Sequence, residues 1–169
     1  MEKNEIKICL WFDTQAEEAV NFYTSVFKDS AIGKISRFGN EGFEYHHKPE
    51  GSIMSIDFRL NKMNFTALNG GPEFRFNEAI SIVVYCDTQD EIDYYWSRLT
   101  EGGEEVQCGW LKDRFGLSWQ IVPSFMPDYM TDEDKSRKSR VESAMFRMKK
   151  LEIEELTNAY NGLQLSSLK

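Results

Sequence analysis

The chain has 169 residues, 41% hydrophobic and 28% charged, with a formal net charge of −8. That is enough apolar sequence for one cored domain, and the acidity argues against a nucleic-acid partner, because phosphate binding needs clustered Lys and Arg. No apolar run approaches the roughly 20 residues that span a bilayer, and residues 1–5 offer no secretion signal, so a cytoplasmic protein with no membrane partner is expected.

Residues 6–12 form a short apolar run that predicts a strand, and Asp13-Thr14 offers capping oxygens for a following helix. Ala16, Ala19, Val20, Tyr23, Val26 and Phe27 recur at three- and four-residue spacing, giving one buried stripe that should end near Lys28-Asp29. Residues 31–38 predict a second strand. The Gly-rich, polar stretch 39–51 predicts a loop in which His46 and His47 are solvated. Residues 52–60 alternate, with Ile53, Ser55, Asp57 and Arg59 on one side and Met54, Ile56, Phe58 and Leu60 on the other. Asn61-Lys62 predicts a tight turn into a strand at 63–68. The order is β-α-β-β-β.

The order then returns. Residues 80–86 predict a strand, and Asp87-Thr88 caps a helix with a stripe of Ile92, Tyr95, Trp96 and Leu99 that ends at Gly102-Gly103. Strands at 106–111 and 118–122 follow, joined through Asp113-Arg114-Phe115-Gly116. Asp13-Thr14-Gln15 recurs as Asp87-Thr88-Gln89 at an offset of 74 residues, which also matches Phe22 to Trp96. The last strands match as Phe65-Thr66-Ala67-Leu68 against Trp119-Gln120-Ile121-Val122.

Pro127 and the solvated acidic run Asp132-Glu133-Asp134 predict a linker. Beyond it, stripes of Val141, Ala144, Met145 and Met148, then Ile153, Leu156, Ala159 and Tyr160, predict helices that dock on the body or on a partner subunit. The division expected is a domain over 1–126, with units at about 5–71 and 78–125, and a helical appendage over 127–169. Cys9, Cys86 and Cys108 lack any CxxC spacing and suit reduced thiols.

Several longer motifs carry a family resemblance: Ile8-Cys9-Leu10-Trp11-Phe12, the segment from Phe65 through Asn69-Gly70-Gly71-Pro72 to Phe74, Cys108-Gly109-Trp110-Leu111-Lys112-Asp113 and Gly116-Leu117-Ser118-Trp119. Over residues 5–125 the chain resembles the PhnB-like family, also labelled 3-demethylubiquinone-9 3-methyltransferase-like, of the vicinal-oxygen-chelate (glyoxalase) superfamily. The resemblance implies an α+β fold of two βαβββ units forming a half-barrel pair, a small-molecule ligand, and assembly as a homodimer.

Superfamily enzymes hold a divalent metal with His and Glu on the first and last strands of each unit. Carried onto this sequence, those positions fall at Lys7, Thr66, Ser81 and Gln120, none of them a good ligand, so no metal and no cofactor are expected. The methyltransferase label implies a nucleotide cofactor, which calls for a Gly-rich turn between a parallel strand and a helix. Gly70-Gly71-Pro72 does not introduce one. If Lys7 faces the cavity, alternation turns Cys9, Trp11 and Asp13 the same way, with Ser81, Val83 and Tyr85 from the second unit. Thr66, Leu68, Gln120 and Val122 complete an apolar, aromatic wall with a few hydrogen-bonding groups. The expected function is small-molecule binding; the alternatives are a metal-dependent glyoxalase- or dioxygenase-type enzyme and the methyltransferase of the label. No nucleophile–base set stands out.

Overall fold

The computed structural model describes residues 6–163, in two compact units that part between Phe76 and Asn77. In the first unit β1 (Ile8–Phe12) leads into α1 (Ala16–Val26), then β2 (Ser30–Arg37), a single helical turn α2 (Phe43–His46), β3 (Ile53–Leu60) and β4 (Met63–Asn69). The sheet order is β1-β4-β3-β2, with β1 parallel to β4 and the other pairs antiparallel. The second unit repeats this with β5 (Ser81–Cys86), α3 (Gln89–Leu99), β6 (Glu104–Glu105), β7 (Trp110–Lys112) and β8 (Ser118–Pro123), in the order β5-β8-β7-β6. The α+β class and the repeated βαβββ unit are therefore as the sequence implies.

Each sheet has one covered and one open face, because alternate residues of a strand point to opposite sides. In the first unit Leu10, Phe12, Ile56, Phe58, Leu60, Phe65 and Ala67 are buried under the Ala16, Ala19, Val20, Tyr23 and Val26 stripe of α1. In the second, Ile82, Val84, Cys86, Leu111, Trp119 and Ile121 are buried with Ile92, Trp96 and Leu99 of α3. The strand registers coincide: Ile8 pairs with Phe65 and Ile82 with Trp119, so β1 maps to β5 at 74 residues and β4 to β8 at 54.

The helices, however, slip by one. Thr88 caps α3, accepting from the Glu91 backbone N–H while the Glu91 carboxylate reaches back, a reciprocal capping box. In the first unit Asp13 and Thr14 do not cap. The helix starts one residue later, after Gln15, and its Ala16 N–H bonds the Asn69 Oδ1 at 2.9 Å. The buried helical positions therefore match at 73 residues, and the core aromatic that corresponds to Trp96 in the repeat is Tyr23 rather than Phe22.

Other expectations need correcting. The run 106–111 is not one strand: Cys108 (φ 62°) and Gly109 (φ 82°) turn left-handed, so strand structure ends with β6 before residue 106 and resumes only with β7 at Trp110. A Cβ at Gly109 would lie 2.8 Å from the Ile121 carbonyl oxygen, so the turn is held to glycine. The expected linker contains α4 (Met126–Thr131), and α5 (Lys135–Met145) and α6 (Ile153–Asn161) follow it. The acidic run is structural: Asp134 caps α5 and Asp132 accepts from the Tyr160 hydroxyl. These helices dock on their own unit. Met126, Val141, Ala144, Met148, Leu151 and Leu156 make one core with Val122 and Phe125, and the Cys108 and Gly109 amides bond the carbonyls of Met148 and Lys149.

Candidate functional site

The open face of the first unit is built from three adjacent strands. Cys9 and Trp11 of β1 lie opposite Thr66 and Leu68 of β4, and Thr66 and Leu68 lie opposite Asp57 and Ser55 of β3. Lys7, one residue before β1, shares this side. It reaches Asp57, donating from Nζ to Oδ2 at 3.1 Å, while Thr66 donates to the other carboxylate oxygen at 2.6 Å. The Thr66 hydrogen bond, then that of Lys7, holds the Asp57 carboxyl below the usual carboxylate range against a partial burial that raises it. Asp57 is thus an anion with both oxygens engaged. Alternation in the sequence groups Asp57 with Ile53, Ser55 and Arg59 but assigns it neither this face nor a role; its partners stand 50 and 9 residues away.

The other end of the face is aromatic. Trp11 donates its indole N–H to the Gly71 carbonyl at 2.9 Å and meets Phe74 edge-on at 5.0 Å. Its ring lies over Gly70, where a Cβ would come within 2.2 Å of the indole. Gly70 therefore does more than let the chain turn: it seats the tryptophan. Ser36 and Ser55 share a hydrogen bond of 2.7 Å on the same face.

In the second unit the open face carries Ser81, Val83 and Tyr85 of β5, Gln120 and Val122 of β8, and Trp110 and Lys112 of β7. Gln120 donates to the Ser81 hydroxyl at 2.8 Å. Lys112 pairs with Glu78. Val83 and Tyr85 are exposed. Ser118, level with Ser81 in the parallel pair, is fully buried, and its hydroxyl has no partner among the described residues. Asp113, also buried, accepts from the backbone N–H groups of Phe115 and Leu117 and from the Trp119 indole at 2.8 Å, which fixes the β7–β8 turn.

The four strand positions tested for a metal are thus occupied by one ammonium and three neutral polar groups, and each is committed to a protein partner. They do not suit a divalent ion, since an ammonium carries no lone pair and the hydroxyl and amide groups are weak ligands. Among the described residues no three His, Cys, Asp or Glu side chains converge as a metal-binding group. His46 is only partly solvated. It is half-buried against Phe38 at 4.6 Å, its Nδ1 accepting from the Lys48 N–H, and it organises the 39–51 loop; His47 is exposed. Among the described residues no helix is long and apolar enough to cross a membrane.

Two βαβββ units, each a four-stranded sheet with one parallel pair at its edge and one open face, define a glyoxalase-like, vicinal-oxygen-chelate fold. The chain belongs to the family described as 3-demethylubiquinone-9 3-methyltransferase, whose model matches residues 4–122. It is similar to the PhnB protein of Bacillus cereus, which bears the same description, at 34% identity and a TM-score of 0.61 over 70% of this chain and 99% of that one. A protein from Pseudomonas aeruginosa shares the fold at 20% identity and a TM-score of 0.57, over 72% of this chain and 98% of that one. So does the fosfomycin resistance protein FosX of Listeria monocytogenes, at 14% identity and a TM-score of 0.51, over 78% and 100%. No curated protein matches the chain.

Proposed function

We propose that this PhnB-like protein binds a small organic molecule on the open sheet faces of its units, as a homodimer and without a metal at the superfamily positions. The observation that carries this reading is the commitment of those positions to one another: Lys7 and Thr66 to Asp57, and Gln120 to Ser81. Around them lie Cys9, Trp11 and Leu68 in the first unit and Val83, Tyr85 and Val122 in the second, a mostly apolar lining with sparse hydrogen-bonding groups, the usual make-up of a small-ligand site. Tyr85 and Trp110 offer flat surfaces for stacking, and the unpartnered Ser118 hydroxyl offers one buried donor.

The methyltransferase description is a poorer fit. Nucleotide-cofactor methyl transfer draws on a Gly-rich turn from a parallel strand into a helix, and the turns that join the first strand of each unit to its long helix read Asp13-Thr14-Gln15 and Asp87-Thr88-Gln89. Neither brings bare backbone to a cofactor.

A native mass spectrum of protein purified without chelators tests the proposal. The expected result is a dimer carrying no stoichiometric divalent ion, with an organic mass retained in part of the population. One divalent ion per chain would overturn the reading in favour of glyoxalase- or dioxygenase-type chemistry.

A further inference from the structure

The first unit's open face changes character along its length. At the Lys7 end, a groove of about 360 Å³ is lined by Lys7, Gly33, Lys34, Asp57, Arg59 and Asn64. Three cations face one carboxylate there, in a chain whose net charge is −8. Asp57 already engages Lys7, and Arg59 pairs with Asp29 at 2.9 Å outside the groove. Lys34 makes no hydrogen bond or ion pair among the described residues, although its charge acts on Asp57. It rides a β-bulge: the β2–β3 register shifts between Ile32 and Ile35, leaving Gly33 and Lys34 across from Asp57. Gly33 keeps the floor open, since a Cβ there would press on the Asp57 carbonyl oxygen at 3.2 Å and its Cβ at 3.3 Å. Four residues along the strand, on the same face and about 13 Å away along the backbone, Trp11, Leu68 and Phe74 form the aromatic end.

We infer that the first unit binds an amphipathic anion, its carboxylate or phosphate group at Lys34 beside the Lys7–Asp57 pair and its apolar body along β1 and β4 toward Trp11. This rests on the small-molecule reading above and names the ligand's chemical class. A neutral ligand would leave an ammonium and a polarised groove unused. A purely ionic one would leave the Trp11 end bare.

The test is a titration of the ¹⁵N-labelled full chain, followed by amide shifts, with 4-phenylbutyrate, 4-phenylbutyl phosphate and the neutral 4-phenyl-1-butanol. The expected result is saturable shifts at Gly33, Lys34, Thr66 and the Trp11 indole, with at least one anion binding about tenfold tighter than the alcohol at low salt. Whichever of the two anions binds tighter identifies the oxyanion. Lys34→Gln, at an exposed edge-strand position, should bring anion and alcohol to within about threefold of each other, with unperturbed amides elsewhere showing that the fold is kept. Equal binding of anion and alcohol, or an unchanged anion preference in K34Q, overturns the inference and leaves the small-molecule reading standing. Should no probe move an amide on either unit's open face, both fall together.

Discussion

The two units share a backbone and differ in how they hold it. The first closes its last hairpin with a two-residue turn in which Asn61 adopts φ 49°, a conformation that asparagine tolerates, and caps its helix from the far strand with Asn69. The second caps its helix locally with Thr88 and Glu91, and fixes its longer hairpin by burying Asp113. The open faces diverge as well. One carries an ion pair and a seated tryptophan, the other a Ser–Gln hydrogen bond, exposed Tyr85 and an unpartnered serine. A fold repeated in one chain constrains the buried face of each sheet and leaves the open face free to take a separate chemistry.

Asp113→Ala should have the largest effect on that comparison. It strands two backbone N–H groups and an indole N–H in a buried turn, at a cost of about 3 kcal/mol. Lys62→Ala, in the corresponding hairpin of the first unit, should stay within about 0.5 kcal/mol. Urea unfolding of both variants checks the pair.

The caps come next. Asn69→Ala removes the bond to Ala16 and also the bond from Asn69 Nδ2 to the Ile53 carbonyl, and should cost about 2 kcal/mol. Thr88→Ala loses only a local cap, about 1 kcal/mol. Equal losses in thermal or urea unfolding would break the distinction between a cap that ties helix to sheet and one that does not.

Ser118→Ala should run the other way. Deleting a buried hydroxyl with no partner should raise stability by about 1 kcal/mol while weakening any ligand that uses the group. A destabilised variant would mean that the hydroxyl is satisfied in solution.

A small effect belongs to Asp57. Its ion pair with Lys7 is partly exposed and contributes less than about 1 kcal/mol. Because its carboxyl is held below the ordinary carboxylate range, the contribution is full above pH about 4 and fades as pH falls through the lowered value. The difference in unfolding midpoint between the wild type and Asp57→Asn should therefore be larger at pH 7 than at pH 3. A gap that widens on acidification would contradict that sign.

Much of this architecture was legible in the sequence because period-two alternation and strand-to-helix junctions are local signals. They gave the βαβββ order and the 74- and 54-residue strand offsets, while the shared side of Cys9, Trp11, Thr66 and Leu68 also needed the family's ligand positions carried onto Lys7 and Thr66. What escaped depended on distant partners. Asp13-Thr14-Gln15 and Asp87-Thr88-Gln89 are identical, so nothing local says that Asn69, 53 residues away from Ala16, starts one helix a residue later. Asp57 looked like one polar residue in an alternating strand until Lys7 and Thr66 closed on it. Cys108 read as strand because its left-handed φ is imposed by hydrogen bonds to the chain near Met148. Asp113 sat in an evident turn, but its indole partner faces the buried side of the next strand.

Calorimetric titration of the purified chain with Mn²⁺, Ni²⁺ and Zn²⁺ tests whether the superfamily's metal positions are spent here on hydrogen bonds within the chain. No stoichiometric binding is expected, with the same flat response from Asp57→Asn and Gln120→Ala. One ion bound per chain in the wild type, lost in either variant, would contradict it.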